Sequence, residues 1–412
     1  MNGEQRTADD DLTGRLSGYA DRRTARFHMP GHKGRLPPPF DGVAPLDVTE
    51  LSATGDLYHE RDGAVRRSER AMAALYGAKD CFYLTGGATQ GIFAMLSAVT
   101  RPGDAVCVGR GCHRSVYNAL ALLDLRPVWF WGEPPEGGGL VIYTSPDYYG
   151  VITPRPKTDG IVLCDAAHGA HLPFCVDDYS PPGNLWAVSA HKTLGALGQA
   201  AMLLSDGRVD ADLLRGRTAV FGSASPSFVL LASLDAAARS GNGGWERVAA
   251  FSRMMKKKDP RVLPNADPAK LTVLTGDGFG DAARLERELG VVCEMADAAR
   301  IVFMLSPHNT DEEFLRLETA LTSIPRRQYP VDQQLSTVRC QMSTVMTPRE
   351  AFFAPRERVA LRDAAGRTAS EAFAPAPPGV PVFAPGERID KKHLEILRGM
   401  CYNEDTPVWV VR

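Results

Sequence analysis

The sequence has no long apolar run. No segment reaches the roughly 20 consecutive apolar residues that span a bilayer, and the opening "MNGEQRTADDDLTGRLSGYADRRTARF" holds no apolar core of signal-peptide length. Neither membrane insertion nor secretion is expected, and the cytoplasm is the expected compartment. A dominant charge is missing as well: 47 Lys and Arg stand against 49 Asp and Glu, a formal net charge of -2, so neither nucleic acid nor an acidic membrane surface is an expected partner. The eight cysteines, at 81, 107, 112, 164, 175, 293, 340 and 401, form no CxxC pair and no zinc-ligand spacing. That pattern suits reduced thiols and argues against a metal centre. What is there is ordinary globular material, 44% hydrophobic and 23% charged over 412 residues, enough for two or three domains and a sizeable core. No internal repeat is visible. A small-molecule enzyme is the class that survives these exclusions.

Residues 1–45 are polar and then rich in Gly and Pro ("HMPGHKGRLPPPFDG"), which predicts an arm with little regular structure. Beyond it, "AVRRSERAMAALYG" reads as a helix stopped at Gly77, "CFYL" as a short buried strand, and "TGGATQGIFAMLSAVTRPGD" as a Gly-rich turn opening a helix near Thr89. The runs "AVCVG", "PVWFW", "IVLCD", "LWAVS" and "AMLLS" follow at intervals filled by helical or Gly/Pro-rich connections. Short strands alternating with helices predict an α/β domain with a mostly parallel sheet over residues 46–254. The segment "SIPRRQYPVDQQ" and the lower helix content after it predict a smaller C-terminal α+β region over 255–412.

Ligands of such sheets bind beyond the carboxyl ends of the strands, and three features fall there. Asp165 closes "IVLCD", Lys192 lies a few residues past "LWAVS" among small and apolar neighbours ("AVSAHKTLGALGQAAML"), and the Gly86-Gly87 turn meets a helix start. Backbone N–H groups at Thr89 would hold a phosphate, the Lys192 amine would form a Schiff base with an aldehyde, and Asp165 would keep a pyridine nitrogen protonated. Pyridoxal 5'-phosphate (PLP) has all three. Taken singly, the aspartate reads equally as a cap and the glycines as a plain turn; their order along the chain favours the cofactor.

The chain also resembles the Orn/Lys/Arg decarboxylases, particularly their shorter bacterial form without an N-terminal wing domain. The matching stretches are "FHMPGHKG", "DVTEL", "LTGGATQGI", "GCHRSVYNAL", "TSPDYYGV", "DAAHGAHLPF", "SAHKTL", "SPSF", "TPREAFFA" and "PPGVPVFAPGE", running in family order from the arm to near the C-terminus. "SAHKTL" together with "DAAHGAH" is specific. The resemblance implies a fold-type I, aspartate aminotransferase-like large domain and a PLP-dependent decarboxylase acting on arginine, lysine or ornithine, with release of the amine and CO2. It further implies a cytoplasmic homodimer or dimer of dimers, and a place in amino-acid metabolism such as polyamine biosynthesis.

By the same resemblance, Lys192 is the Schiff-base residue and Asp165 the pyridinium partner. Ser189, His191 and the backbone of Gly87, Ala88 and Thr89 contact the phosphate, and Ala167 packs beneath the ring. His113 stacks on the ring and positions a proton, while His168 meets the phenolic oxygen or shapes the substrate side. Ser225 and Ser227 reach a phosphate across a dimer interface, with a plain turn as the alternative. Glu387, in a Pro/Gly-rich loop, is the first candidate to meet a basic substrate side chain, with a solvated turn carboxylate as its alternative. His28, His32 and Lys33 in "HMPGHKG" make a poor metal set. The family's usual pattern is broken at Gly86 and Ala88 in the phosphate turn and at Ala166 in "DAAHGAH". These departures leave open another PLP reaction at Cα of a basic amino acid or derivative, such as oxidative decarboxylation, transamination or a lyase reaction. A non-catalytic regulator on the same fold is the remaining alternative.

Overall fold

The computed structural model describes residues 11–22, 24–134, 137, 139–240, 243–327, 343–375 and 378–412; the first ten residues of the expected arm, Cys340 and the distal part of "SIPRRQYPVDQQ" lie outside them. Seven strands, β1 (Asp80–Leu84), β2 (Ala105–Gly109), β3 (Arg126–Phe130), β4 (Leu140–Thr144), β5 (Ile161–Asp165), β6 (Leu185–Val188) and β7 (Ala201–Ser205), form one sheet in the order β1-β7-β6-β5-β4-β2-β3. Parallel pairs join β2 to β3, β2 to β4 and β4 to β5, whereas β7 runs antiparallel to β1 and β6. The continuous apolar runs of β5, β6 and β7 are buried along nearly their whole length, as a sheet covered on both faces requires. This is the mostly parallel α/β sheet expected from the sequence, with β4 ("LVIYT") as a strand additional to those expected.

The described residues fall into two compact units, each drawn from two stretches of chain: Met1–Ala98 with Ala166–Gly243, and Val99–Asp165 with Gly244–Arg412. In the first, the helix Ala64–Leu75 runs into Tyr76, and Gly77 takes a φ of 61°, a left-handed stop as predicted. The helix Gly87–Val99 begins two residues before Thr89. The arm corrects its expectation more substantially, because Leu12–Asp21 is a helix. Asp11 caps it, accepting from the Gly14 amide at 2.6 Å, and Leu12, Leu16 and Tyr19 are buried on one face. Their i, i+4, i+7 spacing in an otherwise polar segment supplies an amphipathic stripe.

In the second unit, an antiparallel sheet of β8 (Lys270–Leu274), β9 (Met295–Ala296) and β10 (Arg300–Met304) has the order β8-β10-β9. The strands β11 (Arg356–Ala360) and β12 (Pro407–Val411) pair antiparallel, and Leu361, Phe383, Ile389, Leu397 and Val410 are fully buried in a local core with them. Among the described residues no helix is long and apolar enough to cross a membrane. None of the described cysteines is in a disulfide.

Candidate functional site

Lys192 is delivered by the end of β6. Ser189 stands at the start of the one-turn helix Ala190–Thr193, and the neighbouring segment after β5 runs alongside: the Ala166 amide donates to the Ala187 carbonyl at 2.9 Å, and the Ser189 amide to Ala167 at 3.2 Å. Those two rungs fix the spacing of the two turns beyond them. As a result Lys192 Nζ lies 2.8 Å from His168 Nε2. Lys192 is half-buried, and His168 is 3% exposed. A hydrogen bond between an amine and an imidazole nitrogen carries one N–H, so this contact lets a proton pass between the two groups. His168, expected to face the cofactor's phenolic oxygen or the substrate, is thus in direct contact with the lysine, and Ala167 lies half-buried between Ala166 and His168.

The glycine turn is built at the start of Gly87–Val99. Gly87 has a φ of 72°, and a Cβ placed on it would meet nothing within 4 Å. Its amide donates to the Gln199 carbonyl at 2.9 Å, and the Gly86 amide to Gln90 Oε1 at 2.9 Å. The amides of Ala88 and Thr89 are therefore the first-turn donors this turn can offer an anion, since opening-turn amides have no acceptor in their own helix. No acidic residue sits in that turn to repel one. His191 donates Nδ1–H to the Ala200 carbonyl at 3.0 Å, and Ser189 is buried. With Nδ1 protonated, His191 can donate to an anion from Nε2 only as an imidazolium. Ser225 is exposed and Ser227 half-buried just before the helix Phe228–Ser240. In the arm, His28 contacts Tyr19 Oη and the Met29 carbonyl, His32 Nε2 lies 3.1 Å from Asp47, and Lys33 Nζ donates to the His28 carbonyl at 2.5 Å.

The second unit holds Asp165, His113 and Glu387. Asp165 is the last residue of β5, opposite Thr144 in register, and only 2% exposed. His113 follows β2 and caps the helix Arg114–Leu122. Its Nδ1 accepts from the Ser115 amide at 3.2 Å and lies 2.9 Å from Ser115 Oγ, which puts the proton of the neutral ring on Nε2. Cys112, next to it, is no nucleophile: burial pushes its thiol up to about 12.

Glu387 is neither open to a substrate nor solvated. It is 1% exposed, and its Oε2 accepts from Arg110 Nη2 at 2.7 Å and from the Ala384 amide at 2.6 Å. Arg110 in turn donates to Tyr117 Oη at 2.6 Å and the Val382 carbonyl at 3.1 Å, with its guanidinium over the rings of Tyr117 and Trp129. The basic partner expected from a substrate is supplied by the protein. The sequence signals Arg110 and Gly379 only through their places in "GRGCH" and "PPGV".

Comparison with known proteins first defines the class. The fold is fold-type I: the chain superposes on the Francisella novicida lysine decarboxylase LdcF with a TM-score of 0.79, at 17% identity, covering 98% of this chain and 81% of that one. A more distant match is a structure described as SPT with PLP, with a TM-score of 0.55, 14% identity, and coverage of 77% of this chain and 83% of that one. Family models narrow the class. Residues 11–144 match the major domain of Orn/Lys/Arg decarboxylase, and residues 331–406 match its C-terminal domain. The chain belongs to the Orn/Lys/Arg decarboxylase family. Among its relatives are the uncharacterized protein YaaO of Bacillus subtilis, 29% identical over 92% of both chains, and the arginine decarboxylase of the same organism, 26% identical over 93% of this chain and 91% of that one.

Proposed function

We propose that this protein is a PLP-dependent decarboxylase of a basic amino acid (arginine, lysine or ornithine), acting in the cytoplasm as a homodimer or dimer of dimers and feeding amine, in the manner of polyamine biosynthesis. The observation that carries the reading is the Lys192 amine, set 2.8 Å from His168 at the end of β6. The residues present fit the cofactor. An open glycine turn with first-turn amides suits a phosphate, the buried Asp165 carboxylate suits a protonated ring nitrogen, and a half-buried amine suits an aldehyde. The family's arginine and lysine decarboxylases support the same chemistry.

When bound, PLP supplies the electron sink for the pair left on Cα as CO2 departs. The protein's own residues do the rest. Lys192 would hold the cofactor through its amine, and His168 is placed to take a proton from Nζ or return one to it. Asp165 holds the ring nitrogen's proton by its charge. Ala88 and Thr89 would anchor the phosphate through backbone N–H, with Ser189, His191 and the Gly87 turn contributing to its site and Ala167 packing against the ring. His113 would stack on the ring and position a proton, and Ser225 and Ser227 would act toward a second copy.

The test is spectroscopic and then chemical. Protein mixed with PLP develops the absorption of lysine-bound cofactor, and Lys192→Ala abolishes that band and lowers turnover by several orders of magnitude. Release of CO2 and the matching amine from arginine, lysine or ornithine identifies the substrate. A colourless wild type, or colour with no CO2 from any of the three, would remove the proposal.

A further inference from the structure

We propose that Gly379, locked in place by the buried Arg110–Glu387 ion pair, is a positioning residue that fixes the His113 ring. This rests on the reading of His113 as the residue that stacks on PLP.

Gly379 adopts a φ of 74°, and a Cβ built there would sit 2.7 Å from both Cδ2 and Nε2 of His113. No other ring atom comes within 4 Å of that point. A point above the ring face would be close to four or five of its atoms, so the approach is edge-on, in the plane of the imidazole. The opposite edge is taken by Ser115, whose amide and hydroxyl meet Nδ1. With both edges confined, the ring cannot swing in its own plane.

The backbone that brings Gly379 there is tied to the His113 segment at several points. The Arg114 amide donates to the Gly379 carbonyl at 2.9 Å. Arg110, three residues before His113, reaches the Val382 carbonyl at 3.1 Å and Glu387 at 2.7 Å, and Glu387 also accepts from Ala384. One arginine thus holds both ends of the 382–387 stretch against the turn that presents the histidine. The ion pair is buried and out of reach of a substrate, which accounts for a charged pair where the sequence suggested a substrate contact.

The test is a double-mutant cycle read in two ways. Gly379→Ala should shift the His113 imidazole nitrogen resonances in the cofactor-free protein and weaken PLP binding by ~10-fold, the size of coupling typical of residues in contact. In a His113→Ala background, where the ring is gone, the same substitution should change PLP binding little. Equal losses in both backgrounds would mean that strain at the left-handed backbone is the whole effect, and the proposal would fall. Should Gly379→Ala fail to fold, Glu387→Leu serves, because it removes the acceptor that Arg110 and the Ala384 amide share: it should move the same His113 resonances, and unmoved resonances overturn the clamp. If the wild type binds no PLP, the cofactor reading fails while the resonance shifts still decide the clamp.

Discussion

Two buried glutamates show how differently the same chemistry can be used. Glu69, in the first unit, has both oxygens satisfied: Arg66 meets it at 2.6 Å, Arg215 binds it in two-pronged fashion at 2.9 and 2.8 Å, and the Tyr83 amide donates at 2.8 Å. Glu387, in the second, gathers Arg110 and the Ala384 amide on one oxygen, while Oε1 is buried with no hydrogen-bond partner among the described residues. The first cluster ties a helix to a strand inside its unit. The second ties a loop to the turn carrying His113. A fully paired buried carboxylate is scaffold, whereas a half-paired one marks a place where geometry is kept at some cost in stability.

The largest expected effect tests that contrast directly. Glu69→Ala leaves two arginines facing each other without their anion, and removing one partner of a buried pair costs about 3–5 kcal/mol. Glu387→Gln should cost about 1–3 kcal/mol, because the amide oxygen can still accept from Arg110 and Ala384 and no second cation is stranded. Urea midpoints of the two variants, converted with the slope of the wild type, measure both. Equal losses would erase the distinction.

A smaller effect is expected in the pH dependence. His393 starts at an ordinary value of 6.5 and is lowered, chiefly by burial, against the opposing pull of Asp390 and Glu387 and with Arg110 and Lys392 pushing it further down. Its Nδ1 accepts from the Asp390 amide at 3.1 Å, closing a capping box at the helix Lys391–Gly399. A proton at Nδ1 would break that bond. Since the folded value lies below the unfolded one, the unfolded chain binds the extra proton first as acid is added. The contribution is therefore complete above 6.5 and declines as the pH falls below it toward the lowered folded value. His393→Gln should flatten that part of the stability profile relative to wild type, measured by urea unfolding at a series of pH values. An unchanged profile would place the acid sensitivity in other groups and remove His393 from the Glu387 cluster's account.

How much of this was legible in the sequence follows from range. β2, β5 and β7 coincide with "AVCVG", "IVLCD" and "AMLLS" because a continuous apolar run in a buried sheet is a local signal. β4 is hidden because its apolar residues run straight into the "TSPDYYGV" motif. The helix at Leu12–Asp21 escaped because three apolar anchors in ten residues look polar by composition. Lys192 and Asp165 stood out from their own neighbours. The partner of Glu387 did not, since Arg110 lies 277 residues away, and no local pattern reports which buried arginine will face a given glutamate.

The smallest effect puts the same carboxylate–arginine chemistry near the surface. Asp11 meets Arg239 at 2.6 Å, but Arg239 is 41% exposed and also serves Asp235 at 2.7 Å. Water screens such a pair, which contributes less than about 1 kcal/mol, so the cost of losing Asp11 should come mainly from its cap. Its Oδ1 accepts from the Gly14 amide, and a lost cap of this kind costs about 1 kcal/mol. Asp11→Asn retains the cap and discards the charge, whereas Asp11→Ala discards both. Asparagine should therefore restore nearly all the stability that alanine loses. If asparagine were as damaging as alanine, charge pairing at this exposed position would be as strong as in the interior, and burial could no longer explain why Glu69 and Glu387 matter more.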